Sequence, residues 1–243
     1  KMLATFGLLS SGKSIETTLD ALPEIIRHEE HTLFLIIGLI FLLKAHSNNQ
    51  FIEGYAKPNS LLYVVDANQN KAYWATYNKV LDGWLENYVN TSDKTPESLV
   101  KYNAASKYNS GFTYAAEAPN KGVLKPKIEF LEDRIAGNQR YLKIRISPNR
   151  TVNRYDIFAN EAMIIHNFKA NGAKALDQKG SKYERKGKKI LSYYVVGNEP
   201  LEMQFSIDSK TVFDMNLLES SFDLMKNPLF AMTQRESWMM PTP

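Results

Sequence analysis

Residues 58–77, PNSLLYVVDANQNKAYWATY, decide the fold of the chain. Their first apolar run, LLYVV at 61–65, is too short for an ordinary helix and is typical of a strand. The polar run 66–70 follows, and its aspartate and asparagines favour a turn because their side chains bond the local backbone. Residues 72–77 then predict the returning strand. The stretch therefore predicts a β-hairpin, and the chain after it is patterned in the same way.

Eight further strands are predicted after the hairpin, each from a short segment of alternating or β-branched and aromatic residues. In the clearest, RYLKIRIS, the apolar residues Leu142, Ile144 and Ile146 recur at every second position and therefore share one face. Many short strands separated by turn signals predict a mainly β fold, an antiparallel β-sandwich with a few short helices, over residues 58–243. The eight segments are 111–118, 127–134, 140–147, 152–158, 162–168, 190–196, 201–207 and 212–218.

Strand pairing is predicted from neighbourhood along the chain. Segments 152–158 and 162–168 are expected to pair, and segments 190–196 and 201–207 to form a hairpin through the turn residues GNEP at 197–200. Residues 78–89, NKVLDGWLENYV, carry apolar side chains at helical spacing and predict a helix that packs on the sheet. Trp74 and Trp84 lie in strongly patterned segments and are expected in the core; the alternative is that they form a sugar-binding platform with Trp238.

The apolar run 33–43, LFLIIGLIFLL, predicts a helical, membrane-embedded segment ahead of the β domain. No charge interrupts residues 32–43, no face of the run is polar, and Lys44 closes it. Residues 32–45 are therefore predicted to form a transmembrane helix, although a full span needs about 20 residues and a core helix is the alternative. Residues 1–31 are predicted to be a partly helical, membrane-proximal segment, and residues 46–57 a polar linker.

A phosphate-loop pattern occurs at residues 7–14, GLLSSGKS. In that pattern Gly7 and Gly12 would let backbone N–H groups surround a phosphate and Lys13 would reach its outer oxygens, while Ser14 completes the pattern. Residues 61–66 resemble the strand and aspartate that hold magnesium in such enzymes. The pattern needs a preceding strand and a parallel α/β sheet after it, whereas an apolar helix and antiparallel strands are predicted here. Nucleotide binding is therefore kept as the weaker alternative.

Composition excludes several classes of site. The net charge of +4 is spread along the chain and does not indicate nucleic-acid binding. The chain has no cysteine, so it has neither disulfides nor cysteine-bound zinc. His28 and His31 fall one residue short of the H-E-x-x-H zinc motif, so no metal ligand and no catalytic residue are predicted.

One binding surface is suggested by side-chain type. The densest basic run is KGSKYERKGKK at 179–189, which is typical of a solvated loop and alternatively suits a phosphate or lipid headgroup. Its residues Lys182, Arg185 and Lys186, together with Trp238, are the candidate binding surface.

Three stretches resemble one family. Residues 58–84, PNSLLYVVDANQNKAYWATYNKVLDGW, resemble the opening of the C-terminal domain of membrane-bound zinc metallopeptidases of the endoplasmic-reticulum and vacuolar type and their bacterial relatives. Residues 217–243, LLESSFDLMKNPLFAMTQRESWMMPTP, resemble the end of that domain, and NRYDIFAN at 153–160 lies between them in the expected order. The resemblance covers residues 51–243.

The resemblance implies a parent protein in which a two-zinc peptidase domain comes first, then membrane helices, then this domain. No residue of this chain matches the zinc ligands, so zinc is expected in the parent alone and no cofactor in this chain. The implied function is a non-catalytic, extracytoplasmic domain in the lumen, periplasm or extracellular space. It would cover or orient the catalytic domain, with that domain and the membrane as partners. The alternative is a stand-alone carbohydrate- or protein-binding β-sandwich.

Overall fold

The computed structural model describes residues 24–49, 51–100, 111–159, 163–174, 180, 182–183 and 189–242. The chain divides into two compact units, Lys1–Lys57 and Pro58–Pro243. The phosphate-loop residues Gly7, Gly12, Lys13 and Ser14, as well as Arg185 and Lys186, lie outside the described residues.

The described part of the first unit is dominated by one helix, α1 (Glu24–Asn48). Every side chain from residue 31 to residue 49 is exposed, and the stretch His31–Asn48 is long and apolar enough to cross a membrane. With 25 residues, α1 is about 37 Å long, which exceeds the ~30 Å hydrocarbon core of a bilayer. The helix is longer than the predicted span of residues 32–45, because it continues into the residues that were predicted to be linker.

We expect the full chain to require detergent in solution. The exposed side chains of α1 include Phe34 at 69% and Leu42 at 70% exposed fraction, and water solvates such a surface poorly. Phase separation in a detergent that clouds on warming should place the natural chain in the detergent-rich phase. Introducing two charges, Ile36→Lys with Ile40→Lys, should move it towards the aqueous phase. Recovery of the natural chain as a monodisperse aqueous species would contradict this expectation.

Among its described residues, the second unit is built of strands in antiparallel sheets, with a short helix, α2 (Glu97–Val100), and a 3₁₀ turn at Leu85–Asn87. This confirms the predicted mainly β fold preceded by an apolar helix. The strands are β1 (Lys57–Ser60), β2 (Leu62–Asp66), β3 (Lys71–Thr76), β4 (Tyr114–Ala118), β5 (Lys127–Ala136), β6 (Gln139–Ser147), β7 (Arg154–Ala159), β8 (Ile165–Ala170), β9 (Ala173–Lys174), β10 (Lys182–Tyr183), β11 (Lys189–Tyr194), β12 (Leu201–Asp208), β13 (Met215–Ser220) and β14 (Met239–Thr242).

Two sheets share the main core of the β unit. One has six strands, with the order β10-β8-β12-β6-β5 and β9 beside β8; the other has three, with the order β11-β7-β13. Leu142, Ile144 and Ile146 of β6 point into this core, as their alternation predicts, and Tyr155 and Ile157 of β7 meet them from the other sheet. Sheets that bury their facing sides in one core form a sandwich.

The first hairpin is a third sheet, in which β3 lies between β2 and β4. Leu62 faces Ala75 and Asp66 faces Lys71, so the predicted strands pair through the predicted turn. The Asp66 carboxylate accepts the N–H groups of Asn68 and Gln69 at 2.9 and 3.2 Å, so the aspartate itself shapes the turn. The last strand, β14, pairs with β1, which brings the end of the chain back to the start of the β unit.

The predicted helix at residues 78–89 is wrong. Only the 3₁₀ turn at Leu85–Asn87 is helical, because polar side chains in this stretch bond the backbone locally. Asp82 accepts the N–H of Leu85 at 3.0 Å, and the side chain of Asn78 accepts the N–H of Ser60 at 3.0 Å. The apolar residues are buried as expected, with Trp84 and Leu85 in the core, but on an irregular segment.

Both predicted neighbour pairings are also wrong. β7 pairs with β11 and β13, whereas β8 pairs with β9, β10 and β12, so β7 and β8 belong to different sheets. The turn at 197–200 does not close a hairpin, because β11 and β12 lie in different sheets as well. Gly197 and Asn198 both have a φ of 61°, and this left-handed pair carries the chain from one sheet of the sandwich to the other.

Candidate functional site

The two described residues of the predicted binding surface, Lys182 and Trp238, lie in different parts of the fold. Lys182 is on β10, where it faces His166 of β8 and is half-buried. Trp238 is half-buried just before β14 and packs against a second core cluster, and its Nε1–H donates to the Glu236 carboxylate at 2.6 Å. Of the predicted surface, the described residues therefore place Lys182 on the six-stranded sheet and Trp238 beside the β2-β3-β4 sheet.

The tryptophans form an aromatic cluster on the β2-β3-β4 sheet. Trp74 has ring contacts with Tyr63 at 5.0 Å and Tyr88 at 5.1 Å, and Tyr88 contacts Trp84 at 5.1 Å between ring centroids. Trp84 is 7% exposed and Trp74 is half-buried, so both belong to the core cluster of this sheet. Rings packed against one another in this way do not present a flat, open platform to a sugar.

The C-terminal segment is attached to this cluster by polar contacts. The Nε1–H of Trp84 donates to the carbonyl of Thr233 at 3.1 Å, and the guanidinium of Arg235 lies 4.5 Å from the Trp84 ring centroid. Arg235 also donates through Nε to Asn59 at 3.1 Å, and burial lowers its pKa below the ordinary value. These contacts join residues about 150 positions apart and make the end of the chain part of this core.

A buried charge group lies on β7, the central strand of the three-stranded sheet. The Asp156 side chain is fully buried, and its Oδ2 lies 2.8 Å from Nε of Arg154. Its Oδ1 lies 3.3 Å from Nζ of Lys189 and accepts the hydroxyl of Ser192 on β11. Strand alternation places Arg154 and Asp156 on the face of β7 opposite Tyr155 and Ile157, and hence away from the main core. Ser192 of β11 lies opposite Asp156 on the same face of the sheet. One carboxylate thus joins the two strands through two cations.

A second buried charge group lies on the core side of the same sheet. Nε of Arg150 is 2.8 Å from Oε1 of Glu219 on β13, and Nη1 of Arg150 donates to the Ser221 hydroxyl at 2.5 Å. Glu219 faces Tyr155 across the β13–β7 ladder. Burial raises the pKa of Tyr155 well above its ordinary value, and the Glu219 carboxylate raises it further.

These two groups are ion pairs that fasten β7, β11 and β13 together. In each group, at least one cation pairs with the carboxylate. The contact residues named for the two groups include no histidine, and the chain has no cysteine. Within the described part of the chain, no group of three or more histidine, cysteine, aspartate or glutamate side chains is placed to hold a metal. Arg154 and Asp156 are two positions apart on one strand and therefore share a face. Arg150 and Glu219 are 69 positions apart, and no local signal links them.

The Glu219 carboxyl should make stability depend on pH. Burial raises its pKa above the ordinary value, and Arg150 and Tyr155 only partly offset this. The folded state therefore binds the proton more tightly than the unfolded chain does. The resulting stabilisation is complete below pH ~4.3 and is lost as the pH rises through the raised pKa. In urea unfolding at a series of pH values, Glu219→Gln should gain stability relative to the natural chain as the pH rises above about 4.3. A constant difference over that range would show that Glu219 has an ordinary pKa.

Comparisons with known proteins identify no relative: no family model, no curated protein and no solved structure matches the chain. The fold defines the class of protein: a mainly β, antiparallel unit preceded in the sequence by an apolar helix long enough to span a membrane. The resemblance to membrane-bound zinc metallopeptidases stays a prediction.

Proposed function

We propose that this chain is a non-catalytic, extracytoplasmic domain of a membrane-anchored zinc-dependent peptidase. The observation that carries the proposal is α1, an apolar helix whose described side chains are exposed and which leads directly into a β unit. Such a helix is stable when lipid covers it, and the chain after it is then held at the membrane surface. The sequence resemblance over residues 51–243 supplies the peptidase as the parent.

The accessory role is supported by how the β unit uses its buried charges. General acid–base chemistry needs a carboxyl, imidazole or hydroxyl that faces a space where substrate can sit. Asp156 is instead enclosed by Arg154, Lys189 and Ser192, and Glu219 is held by Arg150 beneath Tyr155. These groups stabilise a rigid scaffold, and a rigid β scaffold suits a domain that covers or orients a catalytic partner.

The absence of cysteine makes the side of the membrane directly measurable. Lys210 lies in the exposed turn after β12, and Leu39 lies in the middle of α1. In sealed membrane vesicles of known orientation, we expect Lys210→Cys to react with a membrane-impermeant maleimide only from the extracytoplasmic side. Leu39→Cys, the matched control, should react from neither side because lipid covers it. Labelling of Lys210→Cys only from the cytoplasmic side would overturn the extracytoplasmic assignment.

The peptidase assignment is tested by what the chain does alone and what it binds. The purified chain with added zinc should release no product from a panel of peptides. The polypeptide that an antibody against residues 58–243 isolates from native membranes should instead contain zinc and hydrolyse peptides. Peptide hydrolysis by the chain alone would reject the non-catalytic role. Glycan binding abolished by Trp238→Ala would favour the carbohydrate-binding alternative, and ATP binding abolished by Lys13→Ala would favour the nucleotide-binding one.

A further inference from the structure

β5 is the exposed edge of the six-stranded sheet. It is ten residues long and, among the described strands, it pairs only with β6. Four of its apolar side chains are exposed: Ile128 at 51%, Phe130 at 52%, Leu131 at 43% and Ile135 at 64%. A long apolar edge is a template for another strand, and proteins normally shorten or cover such edges.

The register with β6 assigns each β5 side chain to a face. Ile128 and Phe130 face Ile146 and Ile144, so they lie on the core side of the sheet, yet they stay half exposed. A bulge between Phe130 and Glu132 then shifts the alternation by one residue. Ile135 consequently returns to the core side, opposite Arg140.

Two charged residues of β5, Glu129 and Arg134, lie on the other face, whereas Asp133 faces Leu142 on the core side and pairs with Arg140 at 2.8 Å. Glu129 and Arg134 are opposite Arg145 and Tyr141 of β6, whose side chains point away from the core. Glu129 is paired with Lys127 at 2.8 Å and Arg134 with Glu132 at 2.6 Å. These pairs are solvent-exposed and contribute little to stability, so their members can exchange partners at low cost.

This pattern is complementary to itself. If two copies of β5 pair antiparallel about a two-fold axis between Leu131 and Glu132, Ile128 of each copy faces Ile135 of the other on the core side. On the opposite face, Glu129 of each copy faces Arg134 of the other. Directly opposed residues in an antiparallel pair share a face, so both contacts are geometrically consistent.

Other registers are worse. A shift of the pairing by one residue places core-side side chains opposite outward ones. A shift by two residues in one direction places Glu129 opposite Glu132, and in the other direction it places Glu132 opposite Asp133. Like charges directly opposite each other destabilise a ladder. Of these registers, only the first combines Ile–Ile contact with Glu–Arg pairing. It also places Phe130 of each copy opposite Asp133 of the other, whose carboxylate stays paired with Arg140 at 2.8 Å.

We propose that β5 is the interface between two copies of this chain, which join their six-stranded sheets into one continuous sheet across a two-fold axis. A second copy is the occupant that the strand itself specifies, because an isologous contact requires a self-complementary surface. The dimer would also bring the half-exposed Ile128 and Ile135 of both copies together on the core-side face, beside Phe130, which contacts Phe213 within its own chain.

Disulfide trapping in the cysteine-free chain tests the register. In the full chain in detergent, Glu129→Cys with Arg134→Cys should give a covalent dimer under mild oxidation, at least tenfold more than either single variant. Within one chain these positions are about 16 Å apart, which is too far for a disulfide. In the proposed dimer, about the same distance separates residue 129 of one chain from residue 129 of the other, and likewise for residue 134. The single variants therefore cannot form the disulfide and are matched controls. Equal yields from the double and single variants would overturn the register.

Charge reversal provides a second, independent readout. Glu129→Arg alone and Arg134→Glu alone each create two like-charge contacts and should shift the chain towards monomer in sedimentation velocity. An equimolar mixture of the two variants should restore the dimer, because the heterodimer recovers both opposite-charge contacts. Both residues are on an edge strand, so circular dichroism should match that of the natural chain. A dimer that persists unchanged in all samples, or a natural chain that is monomeric throughout, would reject the proposal.

Discussion

Trp84→Ala should lower the free energy of unfolding of the β unit by about 3–5 kcal/mol, the usual range for truncating a buried large aromatic side chain. Trp84 is 7% exposed and joins three parts of the structure: the ring of Tyr88, the carbonyl of Thr233 and the guanidinium of Arg235. Its loss leaves a cavity and also removes the contacts that attach the C-terminal segment to the β2-β3-β4 sheet. Urea unfolding of the full chain in detergent, followed by circular dichroism, measures the change.

Trp84→Phe is the matched control, because it keeps an aromatic ring and removes the indole N–H. We expect it to cost about 1–2 kcal/mol, since one hydrogen bond and part of the ring volume are lost. A cost below ~1 kcal/mol for Trp84→Ala would mean that the C-terminal segment is not part of this core. Limited proteolysis gives a second readout, because Trp84→Ala should expose residues after 220 to cleavage before the sandwich is cut.

Asp156→Ala should destabilise the β unit by about 3–5 kcal/mol, because removing one partner of a buried ion pair leaves its cations uncompensated. The fully buried Asp156 carboxylate is held by Arg154, Lys189 and Ser192, so the substitution affects β7 and β11 together. The same urea unfolding assay measures the loss.

Glu202→Ala is the control for Asp156→Ala, because Glu202 also pairs with two cations, Lys143 at 2.8 Å and Arg145 at 3.2 Å, but on the outer surface of the sheet. Solvent screens such a pair, and we expect a much smaller change. Similar losses from both substitutions would show that burial of the Asp156 group contributes nothing special to the stability of the sheet.

Local patterns were sufficient for the elements that depend on neighbouring residues. The alternation of Leu142, Ile144 and Ile146 predicted both the strand β6 and its buried face. The turn residues from Asp66 to Asn70 predicted the first hairpin, because the aspartate side chain bonds the backbone two and three residues on. The apolar run in α1 needed only its composition, although its length was underestimated.

Long-range pairing was not accessible from the sequence. The turn at Gly197 and Asn198 has the same chemistry whether the chain returns beside itself or crosses to another sheet. Whether β11 and β12 form a hairpin or enter different sheets depends on which strands their apolar faces pack against. Those strands are far away in the sequence. For the same reason, apolar spacing at residues 78–89 predicted a helix, whereas Asn78 bonds Ser60, 18 positions earlier in the chain, and the segment is irregular.

The sequence by itself determined the class of fold and the apolar helix, because alternation, turn chemistry and an uncharged apolar run act over a few residues. The tertiary structure alone decided which strands share a sheet, which charges meet at Asp156 and Glu219, and that β5 is left as an edge. The physical reason is that burial and ion pairing are summed over residues that are distant along the chain. Their free energies depend on the complete arrangement of the sheets and not on any one segment.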